Sequence, residues 1–196
     1  MNDTNKYYQD NASSFYNATV DIDMSAICQH FLPLISTGGS ILDAGCGSGR
    51  DALYFKFRGY DTTAMDASPA LCKLARELLE QDVHCIGFKD ITWQNHFDGV
   101  WACASLLHVP KQKLPSVMTR LAKSLKPGGV MYASFKYGDN ERVKGGRAFT
   151  DMTEESFSEL LKFVPELSLK ESWVTADRRV DADKNWLNVI LNATDC

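Results

Sequence analysis

Three glycines at alternate positions, Gly45, Gly47 and Gly49, follow Asp43 at the end of a short apolar run and precede a stretch of helical composition beginning at Arg50. That order describes a strand, a tight turn and a helix start. Glycine accepts positive φ and lets a ligand approach the backbone, and the first turn of a helix offers unpaired N–H donors. Something binds at such a turn, and the details narrow the choice. A dinucleotide turn spaces its glycines G-x-G-x-x-G and a phosphate loop ends in G-K-[ST], whereas here the spacing is G-x-G-x-G with no lysine after Gly49. The Asp43 carboxylate would also repel a pyrophosphate. The turn therefore suits a nucleoside without phosphates, with Asp43 near a cationic or amine-bearing part, directly or through water. A second group with useful chemistry is His108, whose imidazole has a pKa suited to taking a proton, although a packed or capping histidine before Val109-Pro110 is an equal reading. Cys103 and His108 are too isolated as ligand types to hold a metal.

Alternating elements must position these residues. Apolar runs at 40–44, 60–65, 83–88, 97–103 and 130–135 predict five strands, with Asp43, Asp66, Asp90 and the segment after Cys103 at their carboxyl ends. Helical patterns separate them at 51–58, at 69–80 with Ser68 as N-cap and Pro69 in first position, and at 111–124. Lys126-Pro127-Gly128-Gly129 reads as a turn. Two further helices, 7–16 and 24–35, precede the first strand, and the aromatic face carrying Tyr7, Tyr8, Phe15 and Tyr16 either packs on the domain or closes over a ligand. The mixed-charge segment 136–151 reads as a solvated loop in preference to a lid contacting an acidic substrate; separately, Lys136, Arg147, Arg178 and Arg179 either bind an anionic substrate or, as surface charges usually do, face water. A helix at 154–164 and strands at 167–175 and 186–191 close the pattern, the short gap permitting an antiparallel pair. Strand and helix in alternation predict βαβ units, a parallel sheet covered on both faces, and a ligand beyond the strands' carboxyl ends.

The run Ile41-Leu42-Asp43-Ala44-Gly45-Cys46-Gly47-Ser48-Gly49 resembles the first motif of class I S-adenosylmethionine-dependent methyltransferases, and the likeness continues along the chain. Asp66 matches the acidic residue that binds the ribose hydroxyls in that family, Asp90-Ile91 the position contacting the adenine, 97–103 and 105–110 the fourth-strand region, and 125–129 the turn into the fifth strand. The resemblance implies a Rossmann-like seven-stranded α/β sheet, mostly parallel with the last strand antiparallel between the fifth and sixth, and helices on both faces. It implies S-adenosylmethionine as cofactor, S-adenosylhomocysteine as product, and cofactor contacts from Asp43, Ala44, Gly45, Cys46, Gly47, Gly49, Arg50, Asp66, Ala67, Asp90, Ile91 and Cys103, with Tyr8 and Tyr16 closing from the N-terminal helix. His108 is then the candidate for catalysis at the acceptor, and Lys136 and Arg147 for an anionic substrate. Within the superfamily the chain is similar to small bacterial enzymes that methylate small molecules, including the tellurite-resistance and thiopurine types. A sensor that binds the cofactor without turnover and an NAD-dependent Rossmann oxidoreductase are the competing functions.

At 196 residues and 44% hydrophobic the chain fits one domain, 1–196, with the helices of 1–37 as a possible lid on a core at 38–196. No apolar run approaches a membrane span, and Met1-Asn2-Asp3-Thr4-Asn5-Lys6 is unlike a signal peptide, so the expectation is a cytoplasmic protein with no membrane partner. A net charge of −4 gives no global attraction to nucleic acid. Six cysteines without a C-x-x-C read as buried thiols, not as disulfides or a zinc site. Monomer and homodimer both stay open.

Overall fold

The computed structural model describes residues 3–177 and 185–194, so Arg178 and Arg179 lie outside the described residues. The elements in order are α1 (Asp3–Asp10), α2 (Ala12–Thr19), α3 (Ser25–Phe31), β1 (Ser40–Ala44), α4 (Arg50–Phe57), β2 (Asp61–Asp66), α5 (Pro69–Leu79), β3 (His84–Cys85), β4 (Phe97–Ala102), α6 (Leu114–Ser124), β5 (Leu125–Lys136), β6 (Glu141–Lys144), β7 (Arg147–Thr150), α7 (Glu154–Leu161), β8 (Leu167–Thr175) and β9 (Trp186–Ala193). Seven strands form one sheet in the order β3-β2-β1-β4-β5-β9-β8. The pairs from β3 to β5 are parallel and both pairs of β9 are antiparallel, so the last strand enters between β5 and β8.

Period-two burial on both faces explains why the central strands are apolar throughout. Leu42, Val100, Met131 and Val189 pack with α6 and α7, through residues such as Leu121 and Phe157. Their neighbours in sequence, Ile41, Trp101, Tyr132 and Ile190, pack with Phe31 of α3 and Phe55 of α4. A strand covered by helices on both sides must be hydrophobic at every position, as in doubly wound sheets. Helix α5 starts as its sequence specifies, with Ser68 Oγ accepting from Leu71 N at 3.3 Å and Pro69 in the first turn. Among the described residues no helix is long and apolar enough to cross a membrane.

Four expectations about elements change. The helix at 7–16 is two helices, because Asn11 (φ −116°, ψ 20°) breaks the run. The third strand shrinks from 83–88 to His84–Cys85, and Phe88–Asp90 forms a single 3-10 turn instead. The turn at 126–129 is a bulge inside β5, accommodated between the pairs Phe97↔Leu125 and Gly99↔Val130. Finally, the segment read as a solvated loop holds the antiparallel hairpin β6–β7, turned by Gly145 (φ 56°) and Gly146 (φ 75°). Two consecutive positive φ angles are what a two-residue hairpin turn matching strand twist requires.

Candidate functional site

A cleft of about 1180 Å³ opens at the carboxyl ends of the parallel strands, under α1, α2 and the β6–β7 hairpin. Its floor is the glycine turn. Gly45 N and Cys46 N both donate to Met65 O at 2.9 Å, which clamps the turn to β2. Gly45 (φ 89°) and Gly47 (φ 54°) lie in the left-handed region, and a Cβ at Gly45 would sit 2.5 Å from Ser105 Cβ. Ser105 Oγ also donates to Ala44 O at 2.6 Å, so the segment after β4 is stitched directly to the turn. A Cβ at Gly47 would come within 3.1 Å of Phe15 Cε1. The absence of a side chain at these two positions is what lets Ser105 and Phe15 approach the turn so closely.

Asp66, at the end of β2, joins this floor. Its Oδ2 accepts from Gly47 N at 3.0 Å and its Oδ1 from Ser68 N at 2.9 Å, Ala67 N adds a third backbone donor, and the residue lines the cleft. Burial raises its pKa above the ordinary 3.8, and the backbone donors act against that rise. Asp43 plays another part. It is buried, and its Oδ2 accepts from Ala52 N at 3.1 Å, the third residue of α4, whose N-cap Gly49 has no side chain to offer. A strand aspartate therefore caps the helix that follows the turn. Burial, with the nearby Asp51, pushes its pKa well above the usual carboxylate range. Arg50 reaches Asp51 through Nε (2.6 Å) and Nη2 (2.9 Å), Trp101 Nε1 donates to the same carboxylate at 2.8 Å, and Arg50 Nη1 holds Thr19 O at 3.3 Å. This network ties the end of α2 to the turn.

His108 lies at the opposite wall. Its Nδ1 is 2.7 Å from Ala148 O in β7, and a carbonyl only accepts, so Nδ1 carries the proton. Nε2 is then an acceptor, and the Tyr8 hydroxyl donates to it at 2.8 Å. Burial lowers the His108 pKa to about 4, with the Arg147 charge adding to that and the Ala148 bond opposing it. The imidazole is neutral at pH 7, and its free lone pair is committed to one tyrosine. Burial pushes the Tyr8 hydroxyl and the Cys46 and Cys103 thiols up, so none of these is an ionised nucleophile at neutral pH.

The cleft brings together Tyr8, Asp43, Gly45, Cys46, Gly47, Arg50, Asp66, Ala67, Cys103, His108, Lys136 and Arg147. It does not include Ala44, Gly49, Tyr16, Asp90 or Ile91. Ala44 supplies a carbonyl to Ser105, and Gly49 backs onto Ala75 of α5. Since the helix restarts at Ala12, Phe15 rather than Tyr16 faces the cleft. With β3 ending at Cys85, the rim is made by Ile86, Gly87, Phe88 and Lys89, while Asp90 Oδ2 accepts from Gly87 N at 3.3 Å and Ile91 is core. Phe15, Ser105, Ser134, Asp177 and Phe149 are lining residues that were not among the expected site residues; Phe15 had a local signal in the aromatic face of the first helix and Ser105 in the matched 105–110 segment, while Ser134, Asp177 and Phe149 had none.

Comparison with known proteins agrees with this geometry. Residues 41–129, which hold the glycine turn, Asp66 and the fourth strand, match the methyltransferase domain family. A cypemycin N-terminal methyltransferase from a Streptomyces species is 30% identical over 48% of this chain and 41% of its own length. A malonyl-[acyl-carrier protein] O-methyltransferase from Salmonella typhimurium is 28% identical over 74% of this chain and 47% of its own. The chain thus spans less than half the length of either curated relative. Among solved structures, a Burkholderia thailandensis 1,6-didemethyltoxoflavin-N1-methyltransferase, with 1,6-didemethyltoxoflavin and S-adenosylhomocysteine bound, superposes with a TM-score of 0.77. It is 24% identical, covering 97% of this chain and 85% of that one, and so speaks to the fold.

Proposed function

We propose, from the premise that this chain carries a class I S-adenosylmethionine-dependent methyltransferase domain, that it transfers a methyl group to a small-molecule acceptor held between the glycine turn and His108. The observation that carries the reading is the Asp66 carboxylate, hydrogen-bonded to Gly47 N and Ser68 N at the floor of the cleft, beside a glycine turn whose Gly45 and Gly47 line the same cleft. Vicinal ribose hydroxyls suit those two oxygens. When bound, S-adenosylmethionine supplies a sulfonium-activated methyl group.

The chain's own residues do the rest. Gly45, Cys46 and Gly47 present backbone to the cofactor, Asp66 and Ala67 hold its ribose side, and the Gly87–Phe88 rim takes over the adenine side from Asp90 and Ile91. Arg50 and Asp43 order the turn and the start of α4. Cys103 lines the cleft as a neutral thiol. Helices α1 and α2 roof the site: Tyr8 binds His108, Gln9 Oε1 accepts from Ala70 N at 3.0 Å, and Thr4 Oγ1 accepts from Ala148 N at 2.9 Å. The roof keeps water from the transfer, and holding the acceptor in line supplies much of the rate. The acceptor's proton passes to the Tyr8 oxygen as the Tyr8 proton moves to His108 Nε2, and Ala148 O supports the imidazolium that forms.

The test has two arms. S-adenosylhomocysteine should raise the melting temperature while NAD does not, and labelled methyl groups should appear in products from a small-molecule extract. Stabilisation by NAD alone would restore the oxidoreductase reading. Cofactor binding with no labelled product from any extract would make the chain a sensor.

A further inference from the structure

The charges around the cleft are unevenly satisfied. Arg50 is paired with Asp51, Lys136 Nζ with Asp177 Oδ2 at 2.7 Å and with the Trp186 ring at 4.3 Å, and Arg142 with both oxygens of Asp151 at 2.8 and 2.9 Å. Arg147 differs. Among the described residues it makes no ion pair, and its Nε is withdrawn from solvent with no hydrogen-bond partner. Its guanidinium instead lies against rings, 4.6 Å from the Tyr7 centroid, 5.3 Å from Phe149 and 6.0 Å from Tyr8. Stacking fixes the plane of the fork; one of its donors reaches the Tyr8 hydroxyl, and the remaining edge is left for something else.

Position decides what that is. Arg147 lines the cleft, and the next residue, Ala148, supplies the carbonyl that orients His108. Lys113 and Lys144 line the same mouth and likewise make no ion pair among the described residues. The acids that line the cleft are elsewhere or engaged: Asp43 is buried under α4, Asp66 faces the glycine turn, and Asp51 and Asp177 hold their cations. A chain with a net charge of −4 therefore concentrates unmatched positive charge at the corner where the acceptor's proton leaves. Apolar walls from Leu107, Phe149 and Phe15 adjoin it.

We propose that the acceptor is a small apolar anion, its carboxylate or equivalent oxyanion gripped by Arg147, and that Arg147 selects it. Lys136, the other cation expected to meet a substrate, serves to hold Asp177 and the Trp186 ring. The inference rests on the methyltransferase reading of the cleft. A planar fork engages a carboxylate through two parallel hydrogen bonds, while an amide of the same shape offers one acceptor and no charge, so the discrimination should be large.

The experiment keeps the two claims apart. Titrating the whole chain with S-adenosylhomocysteine by calorimetry tests the methyltransferase reading; no binding there sinks that reading. The saturated protein is then titrated with the 2-, 3- and 4-hydroxybenzoates and the matching hydroxybenzamides. At least one acid should bind ten-fold or more tightly than its amide. Arg147→Gln should abolish that preference and Arg147→Lys retain part of it, with the affinity for S-adenosylhomocysteine unchanged in both. Acids no tighter than amides, no measurable binding of either, or a preference that survives Arg147→Gln would overturn the proposal while leaving cofactor binding intact.

Discussion

Replacing Asp66 by asparagine removes one acceptor and one charge without changing shape, and the geometry sets the size of the loss. In the native site each carboxylate oxygen already accepts one backbone N–H, from Ser68 at 2.9 Å and Gly47 at 3.0 Å. Ala67 N is a further backbone donor, and in the proposed complex the ribose hydroxyls take the acceptor capacity that remains. The amide nitrogen cannot accept, so in either orientation one backbone donor and one hydroxyl lose their partner, and the remaining hydroxyl meets a neutral oxygen. Hydrogen bonds to charged groups contribute about 1.5–3 kcal/mol and neutral ones about 0.5–1.5. Losing one of the first and weakening another amounts to about 3 kcal/mol, or roughly 100-fold in Kd. Calorimetric titration of Asp66→Asn with S-adenosylhomocysteine at pH 7 reads this directly, with circular dichroism confirming the fold. A Kd within about three-fold of the parent would refute the ribose assignment. The pH dependence gives a second handle. Binding requires the ionised carboxylate, whose pKa is raised above 3.8 by burial, so parental affinity should fall on acidification from a higher pH than for an ordinary aspartate. Asp66→Asn should lack that fall.

Other perturbations address stability and the far wall. Asp43→Ala strips the cap from α4 at Ala52 N and should cost about 1–2 kcal/mol, seen as a lower urea midpoint with unchanged slope. Gly45→Ala forces a side chain into φ 89° with its Cβ 2.5 Å from Ser105 Cβ; a loss of about 2 kcal/mol or more and of cofactor binding is expected, read by urea titration and calorimetry. His108 is held neutral, its folded pKa of about 4 lying below the ordinary 6.5, so its contribution is complete above pH 6.5 and disappears as pH falls toward 4. The full span is about 3 kcal/mol, and His108→Gln should lose that much less between pH 7 and 4 in urea unfolding.

How far the sequence reached depended on whether a residue's partner was local. The glycine turn, its strand and Ser68-Pro69 at the start of α5 follow from neighbours in the chain, and all appear where the spacing puts them. The place of β9 between β5 and β8 came from family resemblance, because hydrophobic period cannot order strands. Hairpin β6–β7 had a local cue only in the Gly145-Gly146 pair, because the mixed-charge residues on either side do not alternate apolar with polar. Lys136 and Arg147 were indistinguishable as sequence; one meets Asp177, 41 positions away, and the other meets aromatic rings from α1. Phe15 displaced Tyr16 because a single break at Asn11 reset the helix phase.

Strand β9 has a bearing on how the molecule is made. It pairs with β5 along seven positions and is also β8's partner in the sheet, so β8 stays unattached until residues 186–193 have been synthesised. The parallel half from β1 to β4 needs nothing beyond residue 102 for its pairing and can assemble while the ribosome is still at work. The two halves of the sheet therefore belong to different stages of biosynthesis, with the strands nearest Asp66 in place before the edge strand finds its neighbour. Chains truncated before residue 186 and released from the ribosome should already protect the glycine turn from protease while leaving β8 open to cleavage.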